Sequence, residues 1–576
     1  MDRQQVIGLV LITVIFIGWF YWSYEQQRDY VSRTPAQVTD STVVAEQKPV
    51  QIQPEQPQTN QVTTDTSRFV PVTGPETLTV ITKEYTAKLS RDGARLTSFK
   101  VNHYLENGSP AELLPGGAGH GLNYQLQLAD GALLQTQSLT FQVSGSDSLF
   151  QLNSPGDSVT IRFESKTRAG EIIGMVYRFY GSGFRIGHQL YLSGWQNGLA
   201  AQQIQLQWKD GLRLTEPDKT VEASSAEAMF RSDEDNDYLN ATATDEDEEL
   251  IYPKAFNWSS IRTKYFAVAI LNTDQKAGSV RLTGRTYNDK NGHPEEKYTM
   301  VHFFSYQRES YFSKTSTIFL TPLDYYYLKG LDLELHNIMS LGLPYLVKPI
   351  SEYFILPLFI FLHDWIPSWG LVIIVFTILI KILLYPLTES QTAGFKKMAE
   401  VAPKMKEIQD KYSNDKERMQ QEMLKLYREH GYNPLGGCLP LLLQMPILFA
   451  LYIVFANAIE FRQAEFLWIS DLSLPDVLVP LPFHIPIYGA HISLFALLVA
   501  CSQIWQMKLQ PQTNKEQAAI MMWVFPIMML LIFNNLSSGL NMYYFLFNLL
   551  TIAQTWFFNR RQSSLLESGA SDKKPG

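Results

Sequence analysis

The stretch that most constrains this chain is Trp369–Thr388, WGLVIIVFTILIKILLYPLT. As one helix of about 20 residues it matches the roughly 30 Å hydrocarbon core of a bilayer. It holds a single charge, Lys381, between Phe376–Ile380 and Ile382–Leu384. A lysine inside hydrocarbon costs about 2.5–3.5 kcal/mol, so something must offset it. One reading is a water-filled, positively charged recess within the membrane. The other is a flexible stem that snorkels to an interface roughly 9 Å away, because Leu387 lies six residues on. Position alone leaves both open.

The remainder of the chain divides around this run. Its 576 residues exceed one domain, and a mean hydropathy of -0.10 averages two unlike halves. Residues up to about 330 are mixed and polar; those from about 340 to 558 are dominated by apolar runs. The net charge of -8 and the acids of the first half give no nucleic-acid footprint. Cys438 and Cys501 both sit in apolar runs and read as small core residues, not as a disulfide or a metal site.

Val6–Trp22 is apolar, preceded by Arg3, and closes on Trp19-Phe20-Tyr21-Trp22 without a small-residue cleavage site. It reads as an uncleaved anchor (1–24) with a cytoplasmic N-terminus. Residues 25–74, rich in Gln, Thr, Pro and Val, read as a flexible tether. From 75 to 330 the pattern is strands: Thr79–Leu89, Ser158–Ser165, Met175–Tyr180, Phe184–Ser193, Ile204–Trp208, Tyr265–Leu271 and Ser279–Leu282, with turns at Arg91-Asp92-Gly93, Asn107-Gly108 and Asn291-Gly292. This predicts a large antiparallel β-sandwich outside the cytoplasm. Its acidic block Ser232–Glu249 lacks calcium-loop spacing and reads as a solvated loop.

Residues 331–368 carry apolar positions at helical spacing interrupted by Pro344, Pro349 and Pro357, which suits a helix lying in the outer interface. After the run at 369–388, residues 389–432 change character. Phe395, Met398, Val401, Met405, Ile408 and Tyr412, then Met419, Met423, Leu426 and Tyr427, describe two amphipathic helices broken at Ser413-Asn414-Asp415. Lys396, Lys397, Lys404, Lys406, Lys411, Lys416, Arg418, Lys425 and Arg428 place this hairpin in the cytoplasm. It reads either as a solvated hairpin or as a Met-lined docking arm. Further spans follow at 433–457, 487–507, 518–535 and 539–558, joined by an outer loop at 458–486 and an inner one at 508–517. Arg560 and Arg561 begin a cytoplasmic tail at 559–576. The expected fold is a polytopic α-helical membrane protein, one anchor plus five bundle helices, carrying a large periplasmic β-domain.

The bundle is poor in charge but not in polarity. Thr377, Gln444, Asn534, Asn535, Asn541, Asn548, Thr551 and Gln554 lie in or at the ends of spans. Asn541, Asn548 and Thr551, spaced by seven and three, share one helix face. Interhelical hydrogen bonding explains some of them; eight beside a lysine weigh towards a polar groove. A solute transporter would show internal repeats, which are not evident. An intramembrane protease would need Ser537 or Ser538 within reach of His491, and the serines sit between helices. A plain anchor for the β-domain would not need the polar residues.

YPLT at Tyr385–Thr388, APKMKEIQDKY at Ala402–Tyr412 and QQEMLKLYREHGYNPLGGCLPLLLQMPI at Gln420–Ile447 resemble the YidC membrane protein insertase family. The resemblance covers about 340–560, and the anchor with its large β-domain resembles the Gram-negative form. It implies a chaperone that inserts and folds inner-membrane proteins, alone or with the Sec translocon (SecYEG, SecDF) and the ribosome, without cofactor, metal or covalent chemistry. It implies that the intramembrane charge maps onto Lys381, where many relatives have arginine, the groove threonine onto Thr377 and a substrate-contacting tyrosine onto Tyr544. Gln444 and Asn548 join them as groove polar groups, and Lys396, Lys397, Met398, Met405, Met419 and Met423 mark the capture hairpin. Relatives commonly carry Phe-Pro-x-Gly-Leu before the last helix; here the sequence is Leu536-Ser537-Ser538-Gly539-Leu540. The β-domain resembles a sugar-mutarotase-like sandwich without residues for sugar chemistry.

Overall fold

The computed structural model describes residues 66–117, 119–200, 203–241, 246–273, 278–288, 294–343, 345–385, 401, 403–412, 415–430, 439–485, 488–509 and 515–571. The expected anchor, most of the tether, the turn at Asn291-Gly292, Cys438 and the hairpin residues Lys396, Lys397 and Met398 lie outside them. The chain forms two units that divide between Leu323 and Asp324.

The first unit is a β-sandwich of a nine-stranded, a six-stranded and a five-stranded sheet. Almost every pairing is antiparallel; Thr77–Ile81 with Leu149–Gln151 is parallel. Alternation is visible in Ser158–Lys166, whose Ile161, Phe163 and Ser165 point inward. The central strand Phe266–Asn272 is instead buried on both faces over Phe266–Leu271, flanked by Trp258–Arg262 and Tyr311–Pro322. Two layers meet where Ser259 of the nine-stranded sheet reaches His302 of the six-stranded sheet, Oγ to Nε2 at 2.6 Å. His188 likewise meets Tyr124 at 3.1 Å. The Asn107-Gly108 hairpin turn forms with φ of 49° and 76°, as a two-residue loop of that composition requires.

Two expectations need correction here. Thr79–Leu89 is not one strand but the hairpin Thr77–Ile81 and Tyr85–Ser90. Thr82 Oγ1 accepts the Glu84 and Tyr85 N–H groups and turns the chain. The acidic block is not all loop: Asn236–Leu239 and Asp247–Tyr252 are edge strands of two sheets. Charged side chains are compatible with an edge, and they discourage pairing with other chains.

The second unit is helical. Leu335–Ile338, Val347–Ile350 and Ser351–Ile355 are short turns leading into α1 (Leu356–His363), so 331–368 is a broken path, not one interfacial helix. Then come α2 (Trp369–Leu383), α3 (Lys416–Glu429), α4 (Leu439–Asn457), α5 (Leu494–Leu509), α6 (Lys515–Phe533) and α7 (Ser538–Ser571). Between α4 and α5 the chain makes a β-hairpin, Val477–Ile485 with Gly489–Ser493, where continuous loop and then helix were expected. Asp476 and Ser493 set the start of α5. Ser493 Oγ accepts from Ala496 N at 3.0 Å, and the Asp476 carboxylate accepts from Phe495 N at 3.0 Å and from the Ser493 hydroxyl. Helix α7 runs 34 residues, well past the expected end at 558. Taken over the described residues, no helix is both long and apolar enough to cross a membrane; α2, with 15 residues, covers about 22 Å.

Candidate functional site

Helix α2 begins after Ser368 and packs its aromatic stripe on its neighbours. Phe376 stacks on Phe359 of α1 at 4.3 Å and lies 6.1 Å from Tyr543 of α7. This packing decides where Lys381 goes. Its residue is only 8% exposed, and Nζ donates to Thr551 Oγ1 of α7 at 2.8 Å. The same ammonium stands 4.5 Å from the centroid of the Phe547 ring, within the range of cation–π attraction. The side chain therefore turns into the bundle instead of snorkelling along α2. Among the described residues no carboxylate lies within ion-pair distance of it.

The other expected residues are distributed around this contact. Thr377, one turn earlier on α2, is fully buried and donates to the Ile373 carbonyl at 2.6 Å. Its oxygen lone pairs remain as acceptors. Gln444 is half-buried on α4. Asn548 does not reach Lys381; its Nδ2 donates to Ser502 Oγ at 3.1 Å and Gln503 Oε1 at 3.2 Å, tying α7 to α5. Tyr544 packs 5.0 Å from Phe533 of α6. Asn541 donates to the Phe533 carbonyl at 2.9 Å. Asn534 accepts from Ser493 N at 2.9 Å and donates to the Tyr488 and His491 carbonyls at 2.7 and 2.8 Å. Asn534, Asn541 and Asn548 are thus structural ties through their amide groups, while among the described residues the Asn541 side-chain oxygen and both side-chain polar atoms of Gln554 are buried without a partner. Phe547 escaped sequence reasoning, since an aromatic in an apolar run carries no signal of a cation above it.

The turn before α7 closes without the proline. Ser538 N and Gly539 N donate to the Leu474 and Leu472 carbonyls at 2.8 and 2.9 Å, and Ser538 Oγ to the Asp471 carbonyl at 3.0 Å. A Cβ on Gly539 would stand 2.8 Å from Phe455, so glycine is needed there. His491 Nε2 bonds to the Asn534 carbonyl at 2.8 Å while the Ser538 hydroxyl donates to the Asp471 carbonyl, so each side chain is engaged elsewhere. Cys501 is exposed on α5, not a core residue.

In the hairpin, residues 403–411 are helical and Asp415 caps α3 by accepting from Arg418 N at 3.0 Å. Lys404 Nζ meets His430 Nε2 at 3.0 Å, bringing the start of one helix to the end of the other. Met405, Met419 and Met423 are half-buried beside the buried Val401 and Leu426.

Comparison with known proteins bears on both units. The pattern of the YidC periplasmic domain matches residues 77–353, and that of the 60Kd inner membrane protein family matches 361–565. A membrane protein insertase YidC from Prosthecochloris aestuarii is 35% identical over 98% of this chain and 96% of its own length. The chain belongs to the YidC membrane protein insertase family. A YidC from Chlorobium luteolum is 34% identical over the same shares. A solved structure of an active YidC insertase with its first transmembrane domain resolved matches at 20% identity and TM-score 0.35, over 85% of this chain and 94% of that one. Within YidC terms, the β-sandwich is the periplasmic domain and the helical unit carries the inner-membrane part.

Proposed function

We propose that the helical unit inserts membrane proteins through a positively charged groove centred on Lys381. The observation that carries this reading is the inward-turned ammonium, met by a hydroxyl and a ring and, among the described residues, not neutralised by an acid. Such a charge is retained at a cost of about 2.5–3.5 kcal/mol in an apolar setting. It is then available to an acidic substrate segment. At an effective dielectric of 20, opposite charges about 4 Å apart gain roughly 4 kcal/mol before desolvation. Thr377 and Gln444 offer polar contacts that hydrocarbon lacks. Asn548 and Tyr544 act through the bundle, Asn548 by holding α7 to α5 and Tyr544 by packing on Phe533 of α6. The apolar part of the substrate leaves sideways into lipid, driven by its own partition.

In this reading α2, α4, α5, α6 and α7 are the five bundle spans, joined by an N-terminal anchor. Both termini are cytoplasmic and the β-domain faces the periplasm of the inner membrane. The basic hairpin of residues 389–432, to which Lys396, Lys397, Met398, Met405, Met419 and Met423 belong in sequence, receives the emerging segment. The ribosome and the Sec translocon (SecYEG, SecDF) are the expected partners. No nucleotide, metal or cofactor is required.

Depletion–complementation with Lys381→Ala, Lys381→Arg and Lys381→Glu tests it. Insertion of a substrate with a short acidic exported tail is followed by protease protection. Arginine is expected to support insertion and alanine and glutamate to fail. Normal insertion by all three variants overturns the groove reading.

A further inference from the structure

On the seam between α5 and α7 lies a second feature that the groove does not use. Trp505 and Leu509 of α5 face Leu549, Ile552, Ala553 and Trp556 of α7 around a groove of about 320 Å³. Every lining side chain is apolar or an indole. Thr551, which holds Lys381, is five residues from Trp556, about 140° around the helix. The groove therefore opens on a different face of α7 from the lysine contact. Trp505 and Trp556 are 57% and 52% exposed, one on each side. Indoles in that situation mark a membrane interface, apolar body inward and N–H outward.

Two further observations choose the occupant. The first is size. One turn of helix, about 10 Å across and 5.4 Å tall, fills roughly 420 Å³, more than the groove holds. The groove is about twice an engineered 150 Å³ apolar cavity that takes up benzene. It suits a segment of one hydrocarbon chain, which is slimmer than a helix and can lay the rest of its length along the open outer face. The second is charge. Lys508, in the last turn of α5 and next to Leu509, is exposed and has no acidic partner among the described residues. Helix α7 continues into Arg560 and Arg561 a turn beyond Trp556. Basic residues beside spanning helices on the cytoplasmic side favour anionic headgroups.

We propose that this groove seats one acyl chain of an anionic phospholipid of the cytoplasmic leaflet, with its phosphate at Lys508. The proposal rests on the membrane reading of the helical unit. Its role is a lubricated outer wall: a bound lipid keeps α5 and α7 in register while the opposite face handles substrate.

The full chain is reconstituted into nanodiscs of mixed phosphatidylcholine and phosphatidylglycerol, carrying a trace of either lipid with a photoactivatable acyl chain. Adducts are mapped by peptide mass spectrometry. Phosphatidylglycerol adducts are expected to concentrate on 505–509 and 549–556, roughly fivefold over phosphatidylcholine, the equivalent of about 1 kcal/mol for one basic residue. Lys508→Gln should bring the two lipids to parity, and Ala553→Trp should remove the adducts by filling the groove. Adducts spread evenly over the outer faces of the helices, with no enrichment here, overturn the site and leave the membrane reading standing. Absence of lipid adducts on every helix of the unit would sink both. Cross-linking of a translocating substrate to Trp505 in place of lipid also overturns the proposal.

Discussion

Acid should loosen the β-sandwich through two buried histidines. His188 is 2% exposed, with ring centroids 5.7 Å from Tyr124 and 4.6 Å from Tyr177. His302 is fully buried, edge-on to Phe256 at 4.7 Å. Burial among these rings pushes each imidazole down to about 3, against about 6.5 in the unfolded chain. The unfolded state takes up protons first, so stability is complete above about pH 6.5 and is lost as pH falls through the window down to 3. Each unit of pH costs about 1.36 kcal/mol per group. Between pH 6.5 and 5 the loss is about 2 kcal/mol for each histidine and about 4 kcal/mol for the pair. Hydrogen exchange of Arg185–Ser193 and Pro294–Ser305 in the full chain, measured at pH 7, 6 and 5 after correction for intrinsic rates, reads this directly. His188→Phe with His302→Phe should flatten the pH dependence by that amount. Each change also removes one hydrogen bond, from Tyr124 and from Ser259, whose hydroxyl keeps Met300 Sδ at 3.0 Å; that is a constant cost of about 0.5–1.5 kcal/mol apiece that does not alter the slope. Parallel slopes in the wild-type chain and the double variant refute the assignment.

Asn534→Leu should destabilise the helical unit by at least about 3 kcal/mol, because it orphans Ser493 N and the Tyr488 and His491 carbonyls at about 1–3 kcal/mol each; unchanged denaturation in detergent together with unchanged exchange at 488–493 contradicts this. Glu460, just beyond α4, has both carboxyl oxygens shut off from water although the residue is half-buried as a whole. That burial, and then the Asp324 charge, push its pKa up to about 7. The raised carboxyl contributes stability below about pH 4.5 that is lost as pH rises through 7, up to about 3 kcal/mol by pH 8. Glu460→Gln should remove up to about 3 kcal/mol of the decline in stability between pH 5 and 8, and equal declines in the wild-type chain and the variant would count against the argument.

Local patterns were readable where one surface decides them. Ser158–Ser165 alternates because one face is buried, and Asn107-Gly108 turns because its backbone must. Asp247–Tyr252 was misread because its charges describe the edge it occupies, not the strand it forms. The hairpin Val477–Ile485 with Gly489–Ser493 was hidden by its prolines, and its hold on α5 depends on Asn534, more than forty residues away. Lys381 stood out as a lone charge in an apolar run. That it turns inward follows from Thr551, 170 residues later, a pairing no local period encodes. Asn548 looked like a groove residue by its spacing, and only the position of Ser502 and Gln503 assigns it to a helix–helix tie.

The unbroken 34 residues of α7 have a mechanical consequence. At 1.5 Å per residue the helix is about 51 Å long, of which a bilayer core takes roughly 30 Å. In the proposed topology about 20 Å of rod stands clear in the cytoplasm. The cytoplasmic part of α7 is then a ruler: whatever docks on it is held at a fixed height above the bilayer and at a fixed angle to Thr551. One residue inserted between Phe558 and Ser571 would raise the end of α7 by about 1.5 Å and rotate it by about 100°, changing which direction the docking surface faces while hardly changing its distance.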